Sequence, residues 1–372
     1  MEAMHEARYY QKLPGGELLC TLCPHYCHAR EGGRGTCGVR YAENGALYSL
    51  AYGKLISRAV EPVEKKPLFH FQPGSRVYSI ASVGCTLRCG FCQNWEISQW
   101  PKEHLPATAG EVVGGGAHRR HVRDIARLVP GEATTPRRVV NAARASGAAA
   151  IAYTYTEPTA CFEFVHETAL LARQAGLRNI LVTNGFINEA PLRELAGVVD
   201  AVNVDLKYFN PEHYRHVSHA RIEPVLDAIR LYHDLGVWLE VTTLIVPDIN
   251  DDDAELRDIA EFLRGVGPEV PWHVSRFYPA WKMLDHPITP VATLLRARDI
   301  GRAAGLRYVY AANIPDAPAE DTRCPHCRTL LIERRSLRLR ANHLAAGACP
   351  ACGTAVDGVG MARSPAIQAV SS

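Results

Sequence analysis

The stretch RVYSIASVGCTLRCGFCQNWEIS, residues 76–98, places three cysteines directly after an apolar run. The β-branched residues of this run predict a strand at 77–83, which delivers Cys85, Cys89 and Cys92 into the following loop. Iron–sulfur cubanes normally take four cysteine thiolates, so a loop with three leaves one iron without a protein ligand. The spacing C-x3-C-x2-C therefore predicts a cubane with one iron open to a small molecule.

A structural zinc ion is the alternative for these cysteines, and it would need a fourth ligand close by. Residues 84–100 contain no other cysteine and no histidine. The loop also follows the first predicted strand, and in βα barrels the loops after the strands build the active site. We therefore expect a catalytic cluster on this loop.

Beyond the loop, short β-branched runs alternate with amphipathic helical stretches, a pattern typical of βα units and a parallel sheet. The helices are expected to end at glycines, among them Gly176 and Gly236. The pattern predicts an α/β fold, a partial (β/α)6 barrel that resembles a TIM barrel. The predicted strands are 77–83, 149–155, 179–183, 201–206, 237–245 and 273–277.

The cysteine groups divide the chain into three segments. We expect an N-terminal metal-binding module at 1–72, the barrel at 73–315, and a zinc-ribbon-like module with a tail at 316–372. Residues 101–136 break the βα rhythm with a run of glycines and a basic run. We interpret them as a mobile surface insertion.

Polar residues occupy strand ends that a purely structural barrel would leave apolar. Asn203, Asp205 and Lys207 alternate with apolar residues and so share one face of their strand. A parallel strand covered on both faces reads as continuously apolar, so this face is expected to border a polar cavity. A hydrogen-bonded core group is the alternative at each single position, but several polar strand ends together favour a site.

Four cysteines near the N-terminus have the spacing C-x2-C-x3-C-x9-C. Four thiolates complete a coordination shell, so the group fits either a zinc ion or a second iron–sulfur cluster, and we slightly favour a structural metal. The four residues are Cys20, Cys23, Cys27 and Cys37.

The last four clustered cysteines have the spacing C-x2-C-x21-C-x2-C, close to the paired knuckles of zinc ribbons. A segment of roughly 50 residues buries too little apolar surface to fold alone, so a metal is physically needed there. We therefore predict zinc at Cys324, Cys327, Cys349 and Cys352.

With Phe91 included, the loop reads C-x3-C-x-aromatic-C and resembles the loop of the radical S-adenosylmethionine (SAM) superfamily. The resemblance implies that the open iron of a 4Fe–4S cluster chelates the amino and carboxylate groups of SAM. It also implies an oxidoreductase in which an electron from the cluster cleaves SAM to methionine and a 5′-deoxyadenosyl radical, which then abstracts a hydrogen atom.

Further motifs resemble those of the pyruvate formate-lyase-activating enzymes. Their Thr-Asn-Gly turn and Asp-x-Lys strand end match residues 183–185 and 205–207, whereas their Gly-Gly-Glu motif keeps only Glu157. The resemblance implies that Glu157 accepts a hydrogen bond from the methionyl ammonium of SAM. A paired core histidine is an equal alternative for His273. The residues expected to bind SAM are Phe91, Glu157, Thr183, Asn184, Asp205, Lys207 and His273.

Most of residues 18–335 resembles the radical enzyme of the AmmeMemoRadiSam system, through motifs such as LCPHYC, EPVEKKPLFHF and IAYTYTEPT. That resemblance implies an association with Memo-like and AMMECR-like proteins. The resemblance to activating enzymes implies a glycyl residue of a partner protein as one candidate hydrogen donor. We also expect an electron donor of the flavodoxin or ferredoxin type.

Composition excludes other classes of function. With 41 basic and 39 acidic residues the net charge is +2, so we do not expect nucleic acid as the main partner. No apolar run approaches the roughly 18 residues of a membrane helix, and the N-terminal residues lack an apolar signal sequence, so we expect a cytoplasmic protein. A non-catalytic scaffold with zinc in all three cysteine groups is the alternative function.

Overall fold

The computed structural model describes residues 4–105, 122–314 and 318–362. Within these ranges the main sheet has eight strands, and seven of them run parallel in the order of the sequence. The remaining strand, Ser57–Pro62, pairs antiparallel with the first parallel strand and forms an edge. Parallel pairing brings the carboxyl ends of the seven strands to one side of the sheet. The parallel strands are Arg76–Ala81, Ala150–Tyr153, Arg178–Thr183, Ala201–Asp205, Trp238–Ile245, Trp272–Arg276 and Val309–Ala312.

Helices connect each parallel strand to the next. The Asp252 side chain caps one of them by accepting hydrogen bonds from the N–H groups of Ala254 and Glu255. Gly236, with φ of 73°, ends another in the left-handed conformation that glycine favours. The longer helices are Pro136–Ala145, Phe162–Gln174, Glu189–Ala196, Glu223–Asp234, Asp253–Val266 and Val291–Ala303. The shorter ones are Trp95–Ser98, Trp100–His104, Val122–Leu128 and Pro211–Val217, with 3-10 turns at Pro14–Gly16, Val63–Lys65, Pro158–Cys161 and Pro318–Glu320.

All six predicted strands are present, and the α/β class with a mostly parallel sheet is confirmed. The sequence analysis missed the seventh parallel strand, Val309–Ala312, because it is short and half alanine, which has a low strand propensity. It also missed Ser57–Pro62, whose terminal proline is compatible only with the edge of a sheet.

The N-terminal segment folds against the main sheet. Cys20, Cys23 and Cys37 are buried in the same hydrophobic core as residues of the parallel strands. The boundary predicted at residue 72 stays a prediction, although Ser57–Pro62 joins the sheet of the following segment. The small strands of this segment are Tyr10–Lys12, Leu18–Cys20, His28–Ala29, Arg40–Glu43, Ala46–Ser49 and Lys54–Leu55, the last of which pairs with Glu132–Ala133.

A buried ion pair joins the N-terminal segment to the helix Phe162–Gln174. Arg40 donates from Nη2 to Oε1 of Glu163, and only 1% and 0% of the two side chains are exposed. Burial has the largest single effect and lowers the pKa of Arg40, but Glu163 and then Cys20 together raise it by more, so the pKa is raised. The guanidinium also donates to the carbonyl oxygen of Arg8 at 2.8 Å.

Replacing Glu163 by alanine is expected to lower the free energy of unfolding by about 3–5 kcal/mol, because Arg40 would stay charged and buried without a carboxylate to pair with. Urea unfolding followed by circular dichroism measures this. Glu189→Ala is the matched control, since Glu189 pairs with Arg193 on an exposed helix face, and we expect a loss below about 1 kcal/mol there. Equal stability of the two variants would contradict a stabilising role for the buried pair.

The C-terminal residues form a small antiparallel sheet beside the last parallel strand. Tyr308 and Tyr310 share a hydrophobic core with Cys324 and Leu331. Arg334 is fully buried and donates to the carbonyl oxygen of Phe69 at 2.7 Å, which ties this segment to the main body. The strands are Thr322–Arg323, Leu330–Arg334 and Leu339–Asn342.

The predicted insertion at 101–136 is described only at its ends, because residues 106–121 lie outside the described residues. The helix Val122–Leu128 buries Val122 and Ile125 in the main core, so this end of the stretch packs on the protein. In the described ranges, no helix has both the length and the apolar character needed to cross a membrane.

Candidate active site

A cavity of about 330 Å³ opens at the carboxyl ends of the parallel strands. It is bordered by the three-cysteine loop on one side and by strand ends on the others. Six of the seven residues predicted to bind SAM reach it, together with all three loop cysteines. These residues are Cys85, Cys89, Phe91, Cys92, Glu157, Thr183, Asn184, Asp205 and Lys207.

The backbone fixes the loop at both ends. Gly84 has φ of 103°, and a Cβ at this position would lie 2.9 Å from the side chain of Val39. Only glycine allows both the conformation and the close approach. Further along, the N–H of Arg88 donates to the carbonyl oxygen of Ser218 at 3.1 Å. These backbone contacts help to hold the loop in place.

The loop sulfurs lie in a buried, hydrogen-bonding environment. Sγ of Cys85 accepts from the N–H of Leu87 at 3.4 Å and from Nδ2 of Asn184 at 3.6 Å. Burial raises the pKa of Cys85 to about 12 and also raises the pKa of Cys89. Raised pKa values keep the thiols protonated at neutral pH, so a bound cation is needed to hold them as thiolates.

Glu157 connects the end of the second parallel strand to the turn after the third. Its Oε1 accepts from the N–H of Thr159 at 3.0 Å and from the hydroxyl of Thr183 at 2.8 Å. Its Oε2 accepts from the N–H of Asn184 at 2.8 Å. Burial raises the pKa of Glu157, and these hydrogen bonds oppose that effect. A carboxylate has about four acceptor sites, so one remains for a ligand in the cavity.

Asp205 and Lys207 form a pair on the opposite wall. Nζ of Lys207 donates to Oδ2 of Asp205 at 2.9 Å and lies 5.6 Å from the centre of the Phe91 ring. Burial lowers the pKa of Lys207, but Asp205 and then Cys89 raise it by more, so the side chain stays charged. The Asp205 side chain is 34% exposed, which leaves its carboxylate able to accept hydrogen bonds from a ligand.

The chain is similar in sequence to known proteins. A protein of Methanocaldococcus jannaschii with no characterized function is 42% identical over 357 residues, which cover 95% of this chain and 99% of the relative. Residues 79–263 match the family model of the radical SAM superfamily. The chain belongs to the radical SAM superfamily.

Two further similar proteins are more distant. The pyruvate formate-lyase 1-activating enzyme of Escherichia coli is 26% identical over 201 residues, covering 52% of this chain and 71% of that enzyme. The crystal structure of Streptococcus suis SuiB bound to S-adenosylmethionine aligns with a TM-score of 0.46 at 12% identity, over 68% of this chain and 53% of that one. The chain thus spans about half the length of SuiB.

Members of the radical SAM superfamily are enzymes that use a 4Fe–4S cluster and SAM. The donor set of the cavity fits this group. Among the described residues that line the cavity, three thiols are the sole sulfur donors and no histidine is present. Three thiolates on a cubane leave one iron for another ligand.

His273 is the one predicted SAM-binding residue that the structure does not bring to the cavity. Its ring is fully buried, and Nε2 lies 2.7 Å from Oε2 of Glu240. The ring also packs edge-on against Phe69, with centroids 4.7 Å apart. The radical SAM sheet thus holds His273 as a paired core histidine, which is the alternative that the sequence left open.

Lys66 and Tyr155 also line the radical SAM cavity, and the sequence analysis did not single them out. Nζ of Lys66 donates to Oε2 of Glu61 at 2.6 Å and lies 4.3 Å from the centre of the Tyr155 ring. Tyr155 has φ of 66°, a strained conformation that is concentrated at functional sites. The adjacent lysines Lys65 and Lys66 were the available sequence signal.

The C-terminal cysteines come together as predicted. The four Sγ atoms all lie within 4.8 Å of one another, and those of Cys324 and Cys352 are 3.6 Å apart. A hydrogen bond with Thr354 lowers the pKa of Cys352 to about 5, whereas burial raises the pKa of Cys349 to about 11. This arrangement can hold one metal ion, and its four sulfurs suit zinc or iron.

The N-terminal cysteines also gather in space. The N–H of Cys20 donates to the carbonyl oxygen of Cys27 at 2.9 Å, and burial raises the pKa of Cys23. Burial likewise raises the pKa of Cys37. As on the loop, these thiols need a bound cation to become thiolates at neutral pH.

Proposed function

We propose that this radical SAM protein cleaves SAM reductively and uses the resulting radical to abstract a hydrogen atom from a substrate. The observation that carries the proposal is the meeting of three loop cysteines with Glu157 and Asp205 around one cavity. The loop cysteines would hold three irons of a 4Fe–4S cluster, which leaves the fourth for SAM. When bound and reduced, this cluster supplies the electron that cleaves SAM into methionine and a 5′-deoxyadenosyl radical.

The chain's own residues bind and orient SAM. The free acceptor site of Glu157 suits the methionyl ammonium, because a buried ammonium requires a charge-assisted acceptor. The partly exposed carboxylate of Asp205 suits the ribose hydroxyls, and Lys207 holds that carboxylate in place. The amide of Asn184 lies against the Cys85 sulfur, and hydrogen bonds to thiolate sulfur tune the potential of an iron–sulfur cluster.

Replacing Glu157 by glutamine is expected to raise the Kd for SAM by about 10- to 100-fold, since a hydrogen bond to a charged group contributes roughly 1.5–3 kcal/mol. Anaerobic isothermal titration calorimetry on the reconstituted protein measures this, with iron content checked on the same samples. Glu189→Gln, at an exposed helix position, is the matched control and should leave the Kd unchanged. An unaltered Kd in the Glu157 variant would rule out the ammonium contact.

For the hydrogen donor we propose a glycyl residue of a partner protein. The 26% identity with the activating enzyme supports this, as do the matching motifs at 183–185 and 205–207. The assignment to the AmmeMemoRadiSam system, with Memo-like and AMMECR-like partners, is supported by the motif matches. Electron paramagnetic resonance (EPR) of each partner, after incubation with SAM and the reduced holoenzyme, tests for a glycyl radical.

A second cavity, of about 530 Å³, supports an electron donor of the flavodoxin or ferredoxin type. Thr86 of the loop lines it, so it lies directly beside the cysteines. Among the described residues that line it, four are lysines or arginines and none is acidic. A basic groove steers an acidic electron carrier toward the loop. The basic residues are Arg34, Arg88, Lys102 and Lys282.

A further inference from the structure

The N-terminal cysteine group lies directly against the three-cysteine loop. A Cβ at Gly84, the residue before Cys85, would lie 3.2 Å from the carbonyl oxygen of Cys37. On the other side of the group, Nε2 of His25 lies 2.7 Å from the carbonyl oxygen of Thr86. Two separate backbone positions of the loop therefore touch the segment that carries the N-terminal cysteines.

One lysine contacts both segments. Nζ of Lys102 donates to the carbonyl oxygen of Leu87 on the loop at 2.6 Å. A Cβ at Gly38, the residue after Cys37, would lie 3.3 Å from Cγ of the same lysine. A metal held by the N-terminal cysteines would therefore lie beside the loop that carries the other three.

The distances between the sulfur atoms differ between the N-terminal and the C-terminal cysteine groups. In a tetrahedral zinc site with Zn–S bonds of about 2.3 Å, the sulfurs lie about 3.8 Å apart. The C-terminal sulfurs have this spacing, with two pairs at 3.6 Å. The N-terminal sulfurs are spread more widely, and of the two four-cysteine groups in the described chain only the C-terminal one has all its Sγ atoms within 4.8 Å. A cubane needs the wider spacing, because its four thiolates bind at separate corners.

Hydrogen-bond donors and a buried cation surround the N-terminal sulfurs. Sγ of Cys27 accepts from the N–H of Thr36 at 3.2 Å, and the Thr36 hydroxyl lies at the same distance. Nη1 of Arg40 lies 3.6 Å from Sγ of Cys20. Donors of this kind stabilise the negative charge of a thiolate-ligated cluster and set its potential.

We infer that Cys20, Cys23, Cys27 and Cys37 hold a second 4Fe–4S cluster, which relays electrons to the loop. The relay, though not the cluster itself, rests on the proposed function. One electron from a low-potential flavodoxin or ferredoxin reduces the N-terminal cluster from the 2+ to the 1+ state. That electron then reduces the loop cluster from 2+ to 1+ and returns the N-terminal cluster to 2+, with no bond or proton transferred.

The test uses the full chain with Cys85, Cys89 and Cys92 all replaced by alanine, reconstituted anaerobically with iron and sulfide. This variant leaves the N-terminal group intact, and we expect it to keep about four irons and four sulfides per chain, with an EPR signal after dithionite reduction. Adding Cys20→Ser and Cys23→Ser should remove both the iron and the signal. Zinc in place of iron in the triple variant, or no metal beyond that of the C-terminal group, would overturn the inference.

The relay has its own readout. In the doubly reduced wild type, two neighbouring paramagnetic clusters broaden each other's EPR signals, so the spectrum should differ from the sum of the single-cluster spectra. A spectrum equal to that sum would exclude the relay. Failure of the proposed function would look different, because the wild type would then hold the N-terminal cluster but form no 5′-deoxyadenosine.

Discussion

Cys89→Ala is expected to reduce 5′-deoxyadenosine formation to the level of the protein-free reaction, a loss of at least about 1000-fold. Cys89 is buried on the loop and lines the cavity between Cys85 and Cys92. Without it the loop offers two thiolates, which is too few to retain a cubane. Chromatography of the products, after anaerobic reconstitution and reduction with dithionite in the presence of SAM, measures the yield.

Cys161→Ala is the matched control for this loss. Cys161 is also buried, at 4% exposure, but it stands in the turn Pro158–Cys161 outside the three cysteine groups. Both variants remove one buried sulfur, so a simple packing defect would affect both. We expect the Cys161 variant to keep wild-type activity and iron content.

Activity of the Cys89 variant at the wild-type rate would exclude the loop as the site of the chemistry. Zinc instead of iron in all three cysteine groups of the wild type, with no visible-range charge-transfer absorption, would favour the non-catalytic scaffold. The two results can be told apart, because the first is the activity of a variant of one loop and the second is the metal content of the whole wild-type protein.

Local patterns predicted most of the fold and of the site. The strands and helices follow from residue periodicity and from glycines at helix ends, which are short-range properties. Lys207 and Asp205 reach the cavity because alternation along a strand fixes which side chains share a face. The C-terminal group was predictable since two knuckles of fixed spacing bring four sulfurs together.

Contacts between distant segments could not be predicted from such patterns. His273 pairs with Glu240, which lies on the neighbouring strand Trp238–Ile245. The register between the two strands cannot be derived from the sequence. Lys66 follows the edge strand Ser57–Pro62, whose antiparallel pairing places Pro62 beside Arg76 at the amino end of the first parallel strand, so no local pattern shows that Lys66 lines the cavity. The contact of Cys37 with the loop at Gly84 likewise depends on tertiary packing.

We propose zinc as the C-terminal metal, and its removal is expected to unfold residues 318–362 while the parallel sheet stays folded. The strands of this segment have two, five and four residues, which is too little structure for independent stability. Hydrogen bonds with Thr329 and Thr354 lower the pKa values of Cys327 and Cys352, the latter to about 5. At neutral pH Cys352 is therefore ionised, and a bound cation would stabilise its negative charge.

Cys352→Ser tests this with little loss of packing, because Cys352 is exposed. We expect the variant to lose one zinc per chain, and the amides of Leu330–Arg334 to lose at least about 100-fold of their hydrogen-exchange protection. Cys161→Ser is the control that should lose neither.

The Cys352→Ser variant also shows whether the C-terminal metal has a structural or a catalytic role. Of the described residues that line the active-site cavity, none belongs to 318–362, so 5′-deoxyadenosine formation should persist in Cys352→Ser. Acid should release the zinc as well, because protons compete with the metal for the thiolates. Iron rather than zinc in the purified wild-type segment, or unchanged exchange protection after the metal is lost, would contradict the assignment.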